Sequence, residues 1–168
     1  LICDVSRSMH SVLEFMLQMV YELHDQVSRV RSFAFYGDLA EMTVEMVNQR
    51  VDQAIQQAYQ SVPGGSYRTD FGQSLETFHA RFLNAVDSRT TVLVLADGRN
   101  NYHPSRVDLL QQLRGRAKRL LWFNPEQRAL WGTGDSIMEE YEPATDEVYI
   151  IRTLAQLATA IDKMMAYG

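Results

Sequence analysis

Three oxygen-bearing side chains occupy alternate positions near the start of the chain. Asp4, Ser6 and Ser8 form a D-x-S-x-S motif directly after the apolar residues 1–3, and helical periodicity begins at residue 11. In open α/β sheets, ligands bind in the loops at the carboxyl ends of the strands. The motif therefore predicts a binding loop between a strand and a helix, and its oxygens suit a hard divalent cation.

Two further oxygen donors lie in loops that reach the same edge of such a sheet. Thr69 follows the glycine pair at residues 64–65 and precedes a helical pattern, and Asp97 ends the apolar run 90–96. The three loops together supply hydroxyls and carboxylates, with no imidazole or thiolate. Such a set of hard oxygens favours Mg²⁺ or Mn²⁺ over zinc or copper.

Alternating strands and helices must position these loops. β-branched and aromatic runs predict strands, and residues 39–44 read as a hairpin strand at the edge, whereas apolar residues at helical spacing predict the helices. Repeated βα units predict a three-layer, Rossmann-like α/β fold with a mostly parallel central sheet and one antiparallel edge strand. The predicted strands are 30–36, 90–96, 119–123 and 147–151, and the predicted helices are 11–27, 48–59, 70–86, one that begins at Ser105 and one that begins at Thr153.

Length, charge and cysteine content narrow the class of protein. The chain has 168 residues and a formal net charge of -5, so no general basic surface is available for nucleic acid or an anionic membrane. The longest apolar runs are too short to cross a bilayer. The lone Cys3 cannot form an intrachain disulfide, which favours a reducing, cytoplasmic setting. We expect one domain over residues 1–168, as a piece of a longer protein.

The motifs together resemble the metal-ion-dependent adhesion site (MIDAS) of von Willebrand factor A (VWA) domains. Asp4-x-Ser6-x-Ser8, then Thr69 and then Asp97-Gly98 occur in the order of that family and at about its separations. The CoxE-like branch is the most similar, through the segments 93–100, 122–126 and 131–136. Proteins of that branch are associated with MoxR-type AAA+ ATPases in the maturation of metalloenzymes, including carbon monoxide dehydrogenase.

The resemblance implies a role for each residue of the motif. Ser6 and Ser8 would bind Mg²⁺ or Mn²⁺ directly, Thr69 directly or through water, and Asp4 and Asp97 mostly through bound waters. The open coordination position would take an Asp or Glu side chain from a partner protein. The chain would thus be a metal-dependent protein-binding module, an adaptor for a MoxR-type ATPase, and not an enzyme. The loop before Thr69 is longer than is usual in the family, so Ser66 competes as a ligand.

Other interpretations stay open at this point. A phosphatase-like hydrolase would use Asp4 as its nucleophile with Mg²⁺, although Ser6 stands where such enzymes carry a second acid. A structural domain with an unused site is a third possibility. Asp70 reads as an acid at the start of a helix, and the basic run at 114–119 as the end of a helix. In the aperiodic segment 124–143, Trp131 and the acidic run at 139–142 are predicted to form the partner surface.

Overall fold

The computed structural model describes residues 1–9, 12, 30–42, 53, 60 and 68–166. Its strands are β1 (Ile2–Asp4), β2 (Ser32–Phe35), β3 (Leu39–Met42), β4 (Thr91–Leu95), β5 (Arg119–Asn124) and β6 (Glu147–Ile150). In this described part of the chain they form one six-stranded sheet in the order β3-β2-β1-β4-β5-β6. Neighbouring strands pair in parallel except β2 and β3, which pair antiparallel. The predicted sheet with one antiparallel edge strand is therefore confirmed.

Two predicted site carboxylates leave the sheet side by side. β1 is paired with β2 on one side and with β4 on the other, and Cys3 lies opposite Leu95. β1 ends at Asp4, and the neighbouring β4 ends at the same level of the sheet, at Leu95. Asp97 lies two residues after that end. Because both strands run in the same direction, the two carboxylates emerge at the same carboxyl edge.

Helices cover both faces of the sheet and give it three layers. The described helices are α1 (Phe71–Arg81), α2 (Val107–Arg116), α3 (Met138–Tyr141) and α4 (Leu154–Ala166). Side chains of α1, α2 and α3 share one buried cluster with Val92 and Val94, whereas α4 packs in a second cluster with Leu93 and Leu95. The alternation along β4 shows a strand buried on both sides, as its continuous apolar run predicts.

Some predicted helices differ from the observed ones. The helices predicted over 11–27 and 48–59 lie outside the described residues, apart from isolated positions. α1 ends at Arg81, so Val86 lies beyond it. α4 begins as predicted, because Thr153 Oγ1 accepts a hydrogen bond from the Gln156 N–H at 3.2 Å.

The helix predicted to begin at Ser105 begins two residues later, at Val107. The residue before that helix is Arg106, in a left-handed conformation with φ +46°, and no side chain among the described residues caps the start of the helix. The Ser105 carbonyl instead accepts the Tyr141 hydroxyl at 3.0 Å. None of the helices in the described ranges is long and apolar enough to cross a membrane.

Cys3 in the centre of β1 should be almost unreactive in the folded protein. Its side chain is buried, and burial raises the pKa of the thiol to about 12. Because only the thiolate attacks disulfide reagents, we expect Ellman's reagent at pH 8 to label native protein about 1000-fold more slowly than urea-unfolded protein. Rapid labelling of a chain with a native circular dichroism spectrum would contradict this burial.

Candidate metal centre

Asp4 presents one bonded and one unbonded carboxylate oxygen at the end of β1. Its Oδ1 accepts a hydrogen bond from the Ser6 backbone N–H at 2.7 Å, which fixes the loop that follows the strand. Its Oδ2 is buried and has no hydrogen-bond partner among the described residues. The side chain is only 1% exposed. An unsatisfied buried carboxylate oxygen is costly, so its position calls for a ligand.

The two serine hydroxyls of the motif lie next to each other. Ser6 Oγ and Ser8 Oγ are 3.0 Å apart, because a short 3-10 helix over Arg7–Met9 brings the alternate positions to one side. Ser6 is buried and Ser8 is exposed. The pair therefore offers two neutral oxygens between the buried Asp4 and the solvent.

Asp97 brings a second carboxylate to this place. Its Oδ1 accepts the Arg99 backbone N–H at 2.9 Å, across a turn in which Gly98 has φ +81°. The Ser8 hydroxyl lies close enough to this carboxylate to lower its pKa. The Asn124 side-chain amide donates to the Asp97 carbonyl at 3.0 Å, so β5 helps to hold the loop. The structure thus brings four of the predicted site residues together.

The electrostatics of this pair of carboxylates are unfavourable without a cation. Burial raises the pKa of Asp4 well above its ordinary value, and repulsion from Asp97 raises it further. Burial also raises the pKa of Asp97, against the opposing hydrogen bonds from Arg99 and Ser8. Two buried like charges disfavour each other's ionised form. A positive ion beside them would reverse that effect.

Thr69 lies two residues before α1, beside the loop that begins with Asp97. It is buried, and its carbonyl accepts the Asn101 side-chain amide at 3.1 Å, from the loop that begins with Asp97. Asp70 caps α1, since its Oδ1 accepts the Gln73 N–H at 2.9 Å, as its interpretation as a helix-start acid predicts. Ser66, the competing ligand, lies outside the described residues.

The first residue of α1 anchors the Thr69 segment to the core. The Phe71 N–H donates to the buried Asn100 Oδ1 at 2.7 Å. The Phe71 ring packs edge-on against Trp122 and Tyr141, with ring centres 5.5 and 5.3 Å away. Aromatic packing on the core side of α1 therefore fixes the position of its polar start.

The donor set fits a hard divalent cation with few direct charged ligands. Within the described ranges, no three side chains among His, Cys, Asp and Glu cluster closely enough to hold a metal ion. A cation at this edge would therefore need hydroxyl ligands, which the Ser6 and Ser8 pair supplies. The unbonded Asp4 Oδ2 and the close Asp97 carboxylate supply the balancing negative charge.

An ion-pair network beside Asp97 was not predicted from the sequence. Arg99 donates through Nε to Glu126 at 2.8 Å and through Nη1 to Asp135 at 2.7 Å. The Gly98 carbonyl accepts the Ile137 N–H at 2.9 Å. The segment after β5 is therefore fastened to the Asp97 loop. The only sequence signal was the position of an arginine directly after Asp97-Gly98.

The prediction that Trp131 belongs to a partner surface is wrong. Its side chain is only 6% exposed and packs in the same core cluster as Met138 and Tyr141. A segment without periodicity gives no sign of which residues point inward. The large apolar side chains that are exposed within the described ranges are Tyr102 at 81%, Leu130 and Leu154.

The basic run at the end of α2 has structural partners. Arg114 pairs with Asp146 at 2.9 Å, and Arg119 pairs with Glu147. The Arg116 side chain donates to a backbone carbonyl. These contacts involve three of the basic side chains. Arg119 is the first residue of β5 and its side chain is only 15% exposed, so the interpretation as a solvated helix end holds for only part of the run.

Comparisons with known proteins agree with this geometry. A family model described as "VWA domain containing CoxE-like protein" matches residues 1–160. A comparison with curated proteins finds no match.

Solved structures show the same fold. Proximal thread matrix protein 1 from the mussel byssus, in a form with a zinc-occupied MIDAS motif, matches 96% of this chain with a TM-score of 0.63 and 15% identity. The chain spans 43% of the length of that protein. A mutated aerotolerance-related membrane protein from Bacteroides fragilis matches with a TM-score of 0.62 and 16% identity, over 99% of this chain and 97% of that one. BatB, a conserved hypothetical protein from Bacteroides thetaiotaomicron, matches with a TM-score of 0.61 and 14% identity, over 99% and 95%.

Proposed function

This chain belongs to the CoxE-like proteins that contain a VWA domain, and we propose from that premise that its carboxyl edge is a metal-dependent protein-binding site. Ser6, Ser8 and Thr69 would hold Mg²⁺ or Mn²⁺, and Asp4 and Asp97 would act mostly through bound waters. The single observation that carries the proposal is the unbonded, buried Oδ2 of Asp4, beside both a second carboxylate and a pair of hydroxyls.

The ligand types explain why such a site would bind a partner's acid. A divalent ion whose direct protein ligands are neutral hydroxyls keeps most of its positive charge, while the nearby carboxylates orient the ligand cage. The exposed side of the site carries Ser8. An Asp or Glu side chain from another protein would complete the coordination there.

Family membership supports a finer proposal about the partner. We infer that the chain is an adaptor for a MoxR-type AAA+ ATPase that acts in metalloenzyme maturation, which would place it with ATP in the cytoplasm. The zinc-occupied MIDAS motif of the mussel protein supports a divalent ion in this fold. The hard oxygen donors of this chain favour Mg²⁺ or Mn²⁺ over zinc.

Ser6→Ala should remove the response of the protein to metal. At a Mg²⁺ concentration about 100-fold above its Kd, the wild-type chain should gain about 2.7 kcal/mol in unfolding free energy, and the variant none. Binding of the MoxR-type ATPase in a pull-down should depend on Mg²⁺ and be lost in the variant. Thermal unfolding with Mg²⁺ or EDTA measures the first effect.

Ser136→Ala is the matched control for this substitution. Ser136 is also buried, and its hydroxyl has no hydrogen-bond partner among the described residues, but it is not one of the proposed ligands, and its backbone pairs with Arg99. This variant should keep the full metal response. Equal responses to Mg²⁺ in the wild-type, Ser6→Ala and Ser136→Ala chains would refute Ser6 as a metal ligand.

The geometry does not favour the phosphatase alternative. A nucleophilic Asp4 would need an accessible carboxylate, yet its side chain is 1% exposed and one oxygen accepts the Ser6 N–H. We therefore propose binding rather than catalysis. Mg²⁺-dependent hydrolysis of p-nitrophenyl phosphate that disappears in Asp4→Asn would reverse this choice.

A further inference from the structure

We propose that Asn101 is a positioning residue for the metal site. Its side chain would hold Thr69 at a fixed distance from Asp97. The proposal rests on the proposed function, because it concerns the same ion. Its central observation is the hydrogen bond from Asn101 Nδ2 to the Thr69 carbonyl at 3.1 Å. This contact joins two loops that are 32 positions apart in the chain.

Thr69 needs such a contact more than the other predicted ligands do. Asp4 is the last residue of β1, and Ser6 and Asp97 each lie two residues beyond the end of a paired strand, so the sheet itself sets their separation. Thr69 follows no described strand and precedes α1. Its distance from the other ligands therefore depends on contacts between loops, and one of these is the Asp70 N–H, which donates to the Tyr36 carbonyl just after β2.

Two adjacent asparagines supply these contacts at different depths. The buried Asn100 accepts the Phe71 N–H and donates to the carbonyls of His103 and Pro104, so it fixes the start of α1 and the shape of its own loop. Asn101 instead contacts Thr69 itself, through the hydrogen bond to its carbonyl. Because both belong to the loop that begins at Asp97, the ligands from the two loops are held as one unit.

The backbone conformation of Asn101 explains the choice of side chain. Its φ is +48°, in the left-handed region, which glycine enters freely and asparagine more readily than most residues. Glycine would suit the backbone at least as well but has no side-chain amide to donate to the Thr69 carbonyl. The turn itself therefore does not require the asparagine side chain, whereas the hydrogen bond to Thr69 does.

Asn101→Gly separates these two roles. The variant allows the left-handed backbone, loses the side-chain hydrogen bond to Thr69 and gains backbone freedom. We expect Mn²⁺, titrated alone by calorimetry, to bind about tenfold more weakly, as is typical for loss of a group that orients a metal ligand. The melting temperature in EDTA should stay close to that of the wild-type chain.

Tyr102→Gly is the matched control. Tyr102 is the next residue, also left-handed with φ +62°, and its side chain is exposed. The same change there adds equal backbone freedom, and Mn²⁺ affinity should be unchanged. A similar loss of affinity in both variants would show a general effect of loop flexibility and overturn the proposal.

Asn101→Asp gives a second test that does not depend on glycine. The aspartate keeps the size of the side chain, cannot donate to the Thr69 carbonyl, and adds a negative charge near the ion. If charge alone mattered, Mn²⁺ would bind more tightly. Weaker binding despite the added charge supports a positioning role, and tighter binding contradicts it.

A double-mutant cycle with Thr69→Ala distinguishes this inference from the proposed function. If Asn101 acts through Thr69, Asn101→Gly should have little further effect in the Thr69→Ala background. If the wild-type chain binds no Mn²⁺, both proposals fail. If it binds Mn²⁺ in a manner that depends on Ser6, and Asn101→Gly binds equally well, only the inference about Asn101 is overturned.

Discussion

Replacing Asp4 with asparagine should stabilise the metal-free chain and at the same time abolish its stabilisation by divalent cations. Without metal, the fold holds two buried carboxylates that disfavour each other, and one oxygen of Asp4 has no partner. Asparagine removes one of these charges, and its own Oδ1 still accepts the Ser6 N–H. We expect a gain of about 1 kcal/mol in EDTA, or about 3 °C in melting temperature for a domain of this size.

With metal present, the wild-type chain should be more stable than the Asp4→Asn variant. The wild-type chain gains the binding free energy of the ion, which is about 2.7 kcal/mol at a ligand concentration 100-fold above Kd. The variant lacks the charge that balances the ion, so its melting temperature should not change on addition of Mg²⁺. The two unfolding curves should therefore exchange their order between EDTA and saturating Mg²⁺.

Asp87→Asn provides a control for the loss of a carboxylate as such. Asp87 accepts hydrogen bonds from Arg89 and Thr90, and these contacts lower its pKa to about 2. Its replacement should leave the response to Mg²⁺ intact. An Asp4→Asn chain that melts below the wild-type protein in EDTA would contradict the view that Asp4 is strained in the absence of metal.

The placement of Asp4, Ser6, Ser8 and Asp97 at the candidate site could be predicted because each follows a strong local signal. Residues 90–96 form a continuous apolar run, so the sequence predicts a buried strand with Asp97 at its end. The turn residues around Asp4, Ser6 and Ser8 indicate a loop after a second strand. Parallel pairing then brings these loops to one edge, and the register of Cys3 opposite Leu95 bears this out.

The contacts between loops could not be predicted in this way. Asn101 and Arg99 are ordinary loop residues in the sequence, and their roles depend on Thr69 and Glu126, each more than 25 positions away. Trp131 shows the same limit, because only the folded chain shows it packed with Met138 and Tyr141. Local sequence patterns predict helices and strands. The relative positions of the loops depend on tertiary contacts that such patterns do not contain.

Gly72→Ala should test that packing with a large loss of stability. Gly72 is the second residue of α1, and a Cβ atom there would lie 2.2 Å from the Pro104 carbonyl oxygen and 3.2 Å from Arg106 Cγ. The nearest atom belongs to the backbone, and the same carbonyl accepts a hydrogen bond from Asn100. Neither side can move without breaking the contact between α1 and the loop, so we expect a loss of about 3 kcal/mol in urea unfolding.

The same substitution should also weaken metal binding in the chains that remain folded. A displaced start of α1 would carry Phe71 away from Asn100, and Thr69 away from Asn101. Gly115→Ala is the matched control, because it lies inside α2 and a Cβ atom there meets nothing within 4 Å. That change should stabilise the protein by about 0.5–1 kcal/mol through helix propensity and leave Mn²⁺ affinity unaltered. If Gly72→Ala were as stable as Gly115→Ala, α1 would not be held against the Asp97 loop as closely as its contacts indicate.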